Sequence, residues 1–378
     1  MLVVSLVAIA VTSCTAQQEE PSAASVNSSV PNAAQHQAPG EPLVLTAQKG
    51  RLTSVSVTAN GKPVAGKLDP SGEKWQTTDP LAFGTEYQVQ AAARDAEGRT
   101  SKPLNSTFKT AVPTDTLAVE RTWPSNGETV GVAMPISIYF DKPVQDRAAV
   151  ERNLSVEASV PTEGSFHWMS DERVNWRPKE YWKSGTEVTV KANLYGVDTG
   201  GGVMADRNFE SHFTIGRDQR SVGDVNAHTL TVYQDGKEIR TLPASYGRPV
   251  YPTQYGIHVA SEKAESVRMR SDSWGGPAEG QAGFYDEVLH NNVRISNNGE
   301  YIHSNPGSVW AQGSSNVSHG CVNLSTADGN WFMNFTQIGD PVDIRGSSRP
   351  LTPADGDISD WTIPWEEYVK GSALYEKP

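Results

Sequence analysis

Apolar and polar residues alternate with a period of two along much of this chain, and helical spacing is scarce. Ser106-Thr107-Phe108-Lys109-Thr110, Ser211-His212-Phe213-Thr214-Ile215 and His228-Thr229-Leu230-Thr231-Val232-Tyr233 each send every second side chain to one face. That is the pattern of half-buried strands. Further strand-like runs fall at residues 255–260, 293–296, 300–303 and 342–345. Turn signals such as Asn60-Gly61, Ala96-Glu97-Gly98 and Asp235-Gly236 separate the runs. One helix is predicted, capped by Ser325 or Thr326, with Trp331, Phe332 and Phe335 on one face and an end at Gly339. The predicted fold class is mainly β.

Residues 42–216 carry the pattern twice. Trp75 is followed nine residues later by Gly84-Thr85-Glu86-Tyr87-Gln88-Val89, and Trp176 nine residues later by Gly185-Thr186-Glu187-Val188-Thr189-Val190. Shared spacing of this kind marks one structural unit used twice. Two immunoglobulin-like sandwiches are predicted, at 42–113 and 114–216. Neither contains a cysteine, so neither has an inter-sheet disulfide. They read as spacers, with His167 and His212 packed or solvated. Character changes over 217–345, where the helix lies. Residues 346–378 hold Trp361, Pro364, Trp365 and Tyr368 and read as a strap packing on a neighbouring domain.

The net charge of −12 over 378 residues excludes electrostatic attraction to nucleic acid. The opening MLVVSLVAIAVTSC is too short for a membrane span and reads as the tail of an export signal over residues 1–14. No Lys or Arg precedes the apolar run, consistent with a start upstream of Met1. Val11-Thr12-Ser13-Cys14 resembles a bacterial lipobox, in which the cysteine is lipidated. The expectation is a lipid anchor at Cys14 on the outer face of the cytoplasmic membrane. Residues 15–41, rich in Ser, Ala, Gln, Pro and Glu, are predicted to be a disordered tether.

Cysteine usage then matters. The chain has two cysteines, and a lipidated Cys14 leaves Cys321 without a partner in an oxidising space. Cys321 lies in Ser315-Asn316-Val317-Ser318-His319-Gly320-Cys321-Val322-Asn323-Leu324-Ser325, a run without charge. A thiol with an ordinary pKa of about 8.5 is mostly protonated at neutral pH. A neighbouring imidazolium would stabilise the thiolate and shuttle its proton. His303 could meet Cys321 across adjacent strands, and His319 lies two residues away; spacing does not choose between them. The N–H groups beside Cys321, freed by Gly320, could form an oxyanion hole. An inert buried thiol, or zinc held by His303, His319 and Cys321, stays open on residues alone, although the spacing fits no common zinc pattern.

His303, fourteen intervening residues and Ser318-His319-Gly320-Cys321-Val322-Asn323 together resemble the signature of the L,D-transpeptidase, or YkuD, catalytic domain over residues 217–345. The whole arrangement is similar to the mycobacterial-type members. The resemblance implies a β-sandwich catalytic domain with one or two short helices that needs no metal or cofactor. It implies 3→3 cross-linking of peptidoglycan stem peptides. Cys321 would attack a donor tetrapeptide, release D-alanine and form a thioester, which the diaminopimelate amine of an acceptor stem resolves. His303 would be the base, oriented by the Ser304 carbonyl. His319, Ser318, Gly320 and Asn323 would shape the motif loop, and Tyr285 would stand beside the oxyanion on a flap over residues 270–298. Carbapenems would acylate Cys321. Two positions depart from the family pattern: Thr253-Gln254-Tyr255-Gly256 lacks the proline of Thr-Pro-x-Gly, and Gly307 replaces a bulky aromatic, with Trp310 expected to fill the space. An L,D-carboxypeptidase or endopeptidase on the same site, or a non-catalytic wall-binding scaffold, are the alternatives.

Overall fold

The computed structural model describes residues 20–356 and 358–376, in two compact units that divide between Pro113 and Thr114. Cys14 and the rest of the predicted export signal lie outside the described residues.

The first unit is a sandwich of two four-stranded sheets. One has the order Ser25–Ser28, Val44–Gln48, Lys74–Thr77, Gly66–Leu68; the other Lys62–Pro63, Arg51–Ala59, Glu86–Arg94, Leu104–Lys109. Alternating inward residues, among them Leu45, Trp75, Tyr87, Val89 and Phe108, form its core. The predicted tether needs correction. Ser25–Ser28 pairs antiparallel with Val44–Gln48, and Ala24, Val26 and Val30 are buried in the core. A polar composition hid these few apolar positions, and a fourth strand needs only one inward side chain in two. The sandwich therefore begins near residue 22, where Ser22 Oγ and the Ala23 N–H donate to Asp95, and not at 42.

The second unit opens with another sandwich: Val119–Trp123, Ile136–Phe140, Arg173–Pro178 and Gly164–Trp168 in one sheet, and Thr129–Val130, Phe209–Ile215, Glu187–Ala192 and Leu154–Ala158 in the other. The sequence repeat has a physical cause. Trp75 and Trp176 are each 8% exposed. Each lies over a glycine of the neighbouring strand, Gly66 or Gly164, where an added Cβ would fall 2.0 Å from the indole ring. Gly66 pairs with Thr77 and Gly164 with Pro178, two residues past the tryptophan in both copies. Gly84 and Gly185 each donate to the carbonyl closing the last strand, Ala111 or Ile215, at 2.9 Å.

The catalytic-type domain follows. A six-stranded sheet has the order Lys237–Pro243, Thr229–Gln234, Gln219–Asp224, Pro341–Arg345, Gln254–Val259, Arg349–Pro350. A four-stranded sheet has the order Glu262–Arg270, Asp286–Arg294, Tyr301–Ser304, Val322–Leu324. Leu230, Val232, Val293, Ile302, Val322 and Phe332 are among the residues of their shared core. The helix Thr326–Phe335 is capped by Ser325, whose side chain accepts from Asp328 N. It ends four residues before the predicted Gly339 because Lys263 Nζ takes the Thr336 carbonyl and Asp340 takes the Gln337 N–H. The flap predicted at 270–298 is shorter than expected. Asp286–Arg294 is a strand paired on both sides, which leaves 271–285 as the connection.

The C-terminal segment packs on the second sandwich. Trp361 Nε1 donates to the Ala133 carbonyl, and buried Asp360 accepts from Asn175 and Tyr368. The Arg177 guanidinium lies 4.5 Å from the Trp361 ring centre and 4.4 Å from that of Tyr368. His167 stacks on Tyr368 and bonds its carbonyl.

Candidate active site

The strand Tyr301–Ser304 runs parallel to Val322–Leu324, with Ile302 opposite Val322 and His303 opposite Asn323. Strand alternation sorts these residues. Ile302, Val322 and Leu324 enter the core, while His303, Cys321 and Asn323 line a cavity of about 340 Å³ with Tyr285, Trp310, Ser318 and His319. The helix can press on this strand because Gly329 faces it: an added Cβ would lie 2.3 Å from Ser304 Oγ.

His303 Nδ1 lies 3.0 Å from the Ser304 carbonyl. A carbonyl only accepts, so Nδ1 carries the proton and Nε2 keeps its lone pair. Burial, opposed by that bond, pushes the His303 pKa down to about 4. The Cys321 thiol donates toward the Gly299 carbonyl at 3.7 Å. Burial pushes its pKa up to about 12, with the Tyr301 N–H opposing and the Glu300 carboxyl adding. The expected thiolate beside an imidazolium is thus not the resting state. Taking a charge out of water costs more here than the local bonds return, so the site rests as neutral thiol and neutral imidazole. Cys321 keeps partial exposure to the cavity, where a substrate would reach it.

The motif loop is braced from within. Ser318 Oγ donates to the Cys321 carbonyl at 2.6 Å and accepts the Gly320 N–H at 3.1 Å. That N–H is therefore occupied, which removes it from the expected oxyanion hole. Gly320 has a φ of 132°, a conformation that favours glycine. Asn323 Nδ2 reaches Ser308 Oγ at 3.1 Å. His319 turns away from chemistry: its Nε2 accepts from Arg248 Nη2 at 2.7 Å, and its ring packs between Tyr251 and Tyr285. Burial and then the Arg248 charge lower its pKa. The lone pair of His319 Nε2 is thus spent on Arg248, which removes one ligand from the zinc set. Trp310 is 73% exposed at the cavity rim and does not fill the space beside Gly307.

A second cavity of about 300 Å³ also reaches Cys321. Tyr251, Gly299, Glu300 and Arg349 line it, and Tyr285 and His319 border both cavities. Sequence reasoning missed Arg248, Thr253 and Glu300 as parts of the site. Thr253 Oγ1 donates to the Gly320 carbonyl at 2.6 Å across 67 residues, a contact no local pattern encodes. Glu300 did leave a signal: a carboxylate two residues before Ile302, at an inward position of its strand run.

Comparison with known proteins identifies the families of these domains. Residues 218–344 match the L,D-transpeptidase catalytic domain family, YkuD, and residues 34–198 match a bacterial Ig domain family. The chain is 37% identical over 333 residues to L,D-transpeptidase 2 of Mycobacterium tuberculosis, covering 88% of this chain and 81% of that one. A solved structure of LD transpeptidase LdtMt1 in complex with imipenem aligns with a TM-score of 0.53 at 36% identity, covering 62% of this chain and 100% of that one. L,D-transpeptidase 3 from Mycobacterium tuberculosis, in complex with a faropenem-derived adduct, aligns with a TM-score of 0.52 at 33% identity over 61% of this chain and 98% of that one.

Proposed function

Since this chain belongs to the L,D-transpeptidase family and is a transpeptidase, an acyltransferase, we propose that Cys321 is its nucleophile and that it forms 3→3 peptidoglycan cross-links through a thioester. His303 Nε2 takes the thiol proton as sulfur attacks the carbonyl on the L-centre of diaminopimelate in a donor tetrapeptide. The same proton passes to the leaving D-alanine amine. The diaminopimelate amine of an acceptor stem then displaces Cys321. The observation that carries this reading is the position of Cys321 where two cavities meet, with a fixed-tautomer imidazole lining one of them. A donor stem in the first cavity and an acceptor in the second would both reach the sulfur, as transfer requires.

Carbapenems would open on the same sulfur. Intact-mass spectrometry with imipenem tests this: one adduct is expected on the wild type and none on Cys321→Ala. Incubation with tetrapeptide stems should release D-alanine and give dimers. Trimmed monomers alone would favour the carboxypeptidase, and an adduct persisting on Cys321→Ala would reject the nucleophile. We also infer lipidation at Cys14 and a location on the outer face of the cytoplasmic membrane, from the lipobox-like Val11-Thr12-Ser13-Cys14. A Cys14→Ser chain should leave the membrane fraction; retention there would reject the anchor.

A further inference from the structure

The second cavity holds a group that the reaction as described leaves unused. Glu300 is 7% exposed and lines this cavity together with Cys321 and Gly299. Its Oε1 accepts the Gln254 N–H at 3.0 Å. Its Oε2 is buried and, among the described residues, has no hydrogen-bond partner. Arg349 lines the same cavity, but its guanidinium bonds Asp355 at 3.4 Å. A buried carboxyl oxygen without a donor is costly and calls for an explanation. A bound cation would supply one.

The second half-reaction brings such a cation. An alkyl amine like that of diaminopimelate is an ammonium ion at neutral pH, as lysine is, and it must lose a proton before nitrogen can attack. His303 lines the first cavity and not the second. We propose that Glu300 is a catalytic residue of acceptor transfer: its carboxylate receives the acceptor's ammonium group in the second cavity and takes one of its protons. This assignment rests on the transpeptidase reading above. Burial raises the Glu300 pKa to about 8, opposed by the Gln254 N–H and the Arg349 charge and helped by Asp355. That basicity suits a group exchanging protons near neutrality. The departure at Gln254 belongs to the same device, because a proline there would have no N–H for Oε1.

The step balances. The acceptor ammonium gives one proton to the Glu300 carboxylate. Its nitrogen lone pair attacks the thioester carbonyl, the C–N bond forms and the C–S bond breaks. The second nitrogen proton goes to the departing Cys321 sulfur. The products are an amide, a neutral thiol and a neutral Glu300 carboxyl, which then returns its proton to solvent.

The test compares wild type and Glu300→Gln with tetrapeptide donor and tripeptide acceptor stems. Imipenem uptake by intact mass reports folding. The ratio of dimer formed to D-alanine released is expected to fall at least about tenfold in the variant, with hydrolysed tripeptide rising in its place. Hydroxylamine, an uncharged nucleophile, should release the thioester equally fast from both proteins. An unchanged dimer ratio, or an equal loss with hydroxylamine, would overturn the role of Glu300. If Glu300→Gln takes up no imipenem, Glu300→Asp carries the test: a raised acceptor KM is expected, and an unchanged one overturns the proposal. A wild type that releases no D-alanine would instead reject the transpeptidase reading, and the role of Glu300 with it.

Discussion

The first sandwich and the catalytic domain are both β structures, yet they treat buried polarity in opposite ways. In the first sandwich, Leu45, Trp75 and Val89 fill the interior, and Tyr87 stacks on Phe108 with ring centres 5.0 Å apart. Among its described residues, one buried side-chain polar atom lacks a partner, Ser106 Oγ. Among its described residues the catalytic domain leaves eight such atoms buried without partners, Gln254 Nε2, Glu300 Oε2, Asn323 Oδ1 and Asp340 Oδ1 among them. Each such group costs roughly 1–3 kcal/mol. A domain that only has to stand can avoid that cost. A domain that binds and transfers has a use for some of them: two of the eight belong to Glu300 and Asn323, which line the cavities at Cys321.

Changes of similar size should therefore register differently in the two regions. The largest effect is expected from His303→Ala. Loss of the base should slow imipenem acylation by about 10²–10⁴-fold, read by stopped-flow or intact mass. A loss under tenfold would break the contrast, because the site would then work without its imidazole. Next comes Gly66→Ala, with its counterpart Gly164→Ala. Each puts a methyl 2.0 Å from a tryptophan ring carbon. Each should cost about 2–3 kcal/mol or more in denaturant or thermal unfolding, with no direct effect on acylation chemistry. Equal penalties would establish the two copies as one physical unit. A large difference would mean that only one tryptophan depends on its glycine.

Much of this was legible beforehand. The repeat was visible because Trp75 and Trp176 sit at fixed distances from Gly84 and Gly185. Cys321 and His303 stood out because strand alternation and a lone thiol are local signals. The partners of the loop were not legible. Arg248 meets His319 across 71 residues and Thr253 meets Gly320 across 67, contacts set by sheet order. The first strand, Ser25–Ser28, was hidden by a polar stretch whose few apolar residues face inward. Most of the strand Asp286–Arg294 was hidden because charged, amide and histidine side chains interrupt Val288, Leu289 and Val293 and break the alternation. The neutral state of Cys321 was out of reach because desolvation depends on what surrounds the thiol in three dimensions.

Asp340 shows the cost of buried polarity away from the cavities. Its Oδ2 accepts the Gln337 N–H at 2.7 Å, and its Oδ1 packs against Gly131. Burial raises its pKa to about 7 against that bond and the charges of Arg217 and Lys263. A carboxyl with a raised folded pKa adds stability that is full below its unfolded value near 4 and is lost as pH rises through 7. Asp340→Asn, neutral at every pH, should match the wild type at about pH 4 and exceed it by roughly 1–3 kcal/mol near pH 8. Unfolding curves at the two pH values check this. A variant less stable at both would mean that the ionised carboxylate is wanted there.

The smallest expected effect is an absence of change, and it bears most directly on the chemistry. A thiol with an ordinary pKa would make acylation climb about tenfold per pH unit below 8. In this site burial holds the thiol near 12 and His303 near 4, so neither group changes charge between about pH 5.5 and 8. The imidazole lone pair is available throughout that window, and proton transfer accompanies attack. The rate of imipenem acylation should then vary less than about threefold between about pH 5.5 and 7, below the range in which Glu300 ionises beside Cys321, and should fall only as pH drops toward 4 and His303 gains a proton. A steep rise toward pH 7 would show a thiol that titrates as if solvated, and the cavity around Cys321 would then be wet enough to let the thioester meet water as readily as an amine.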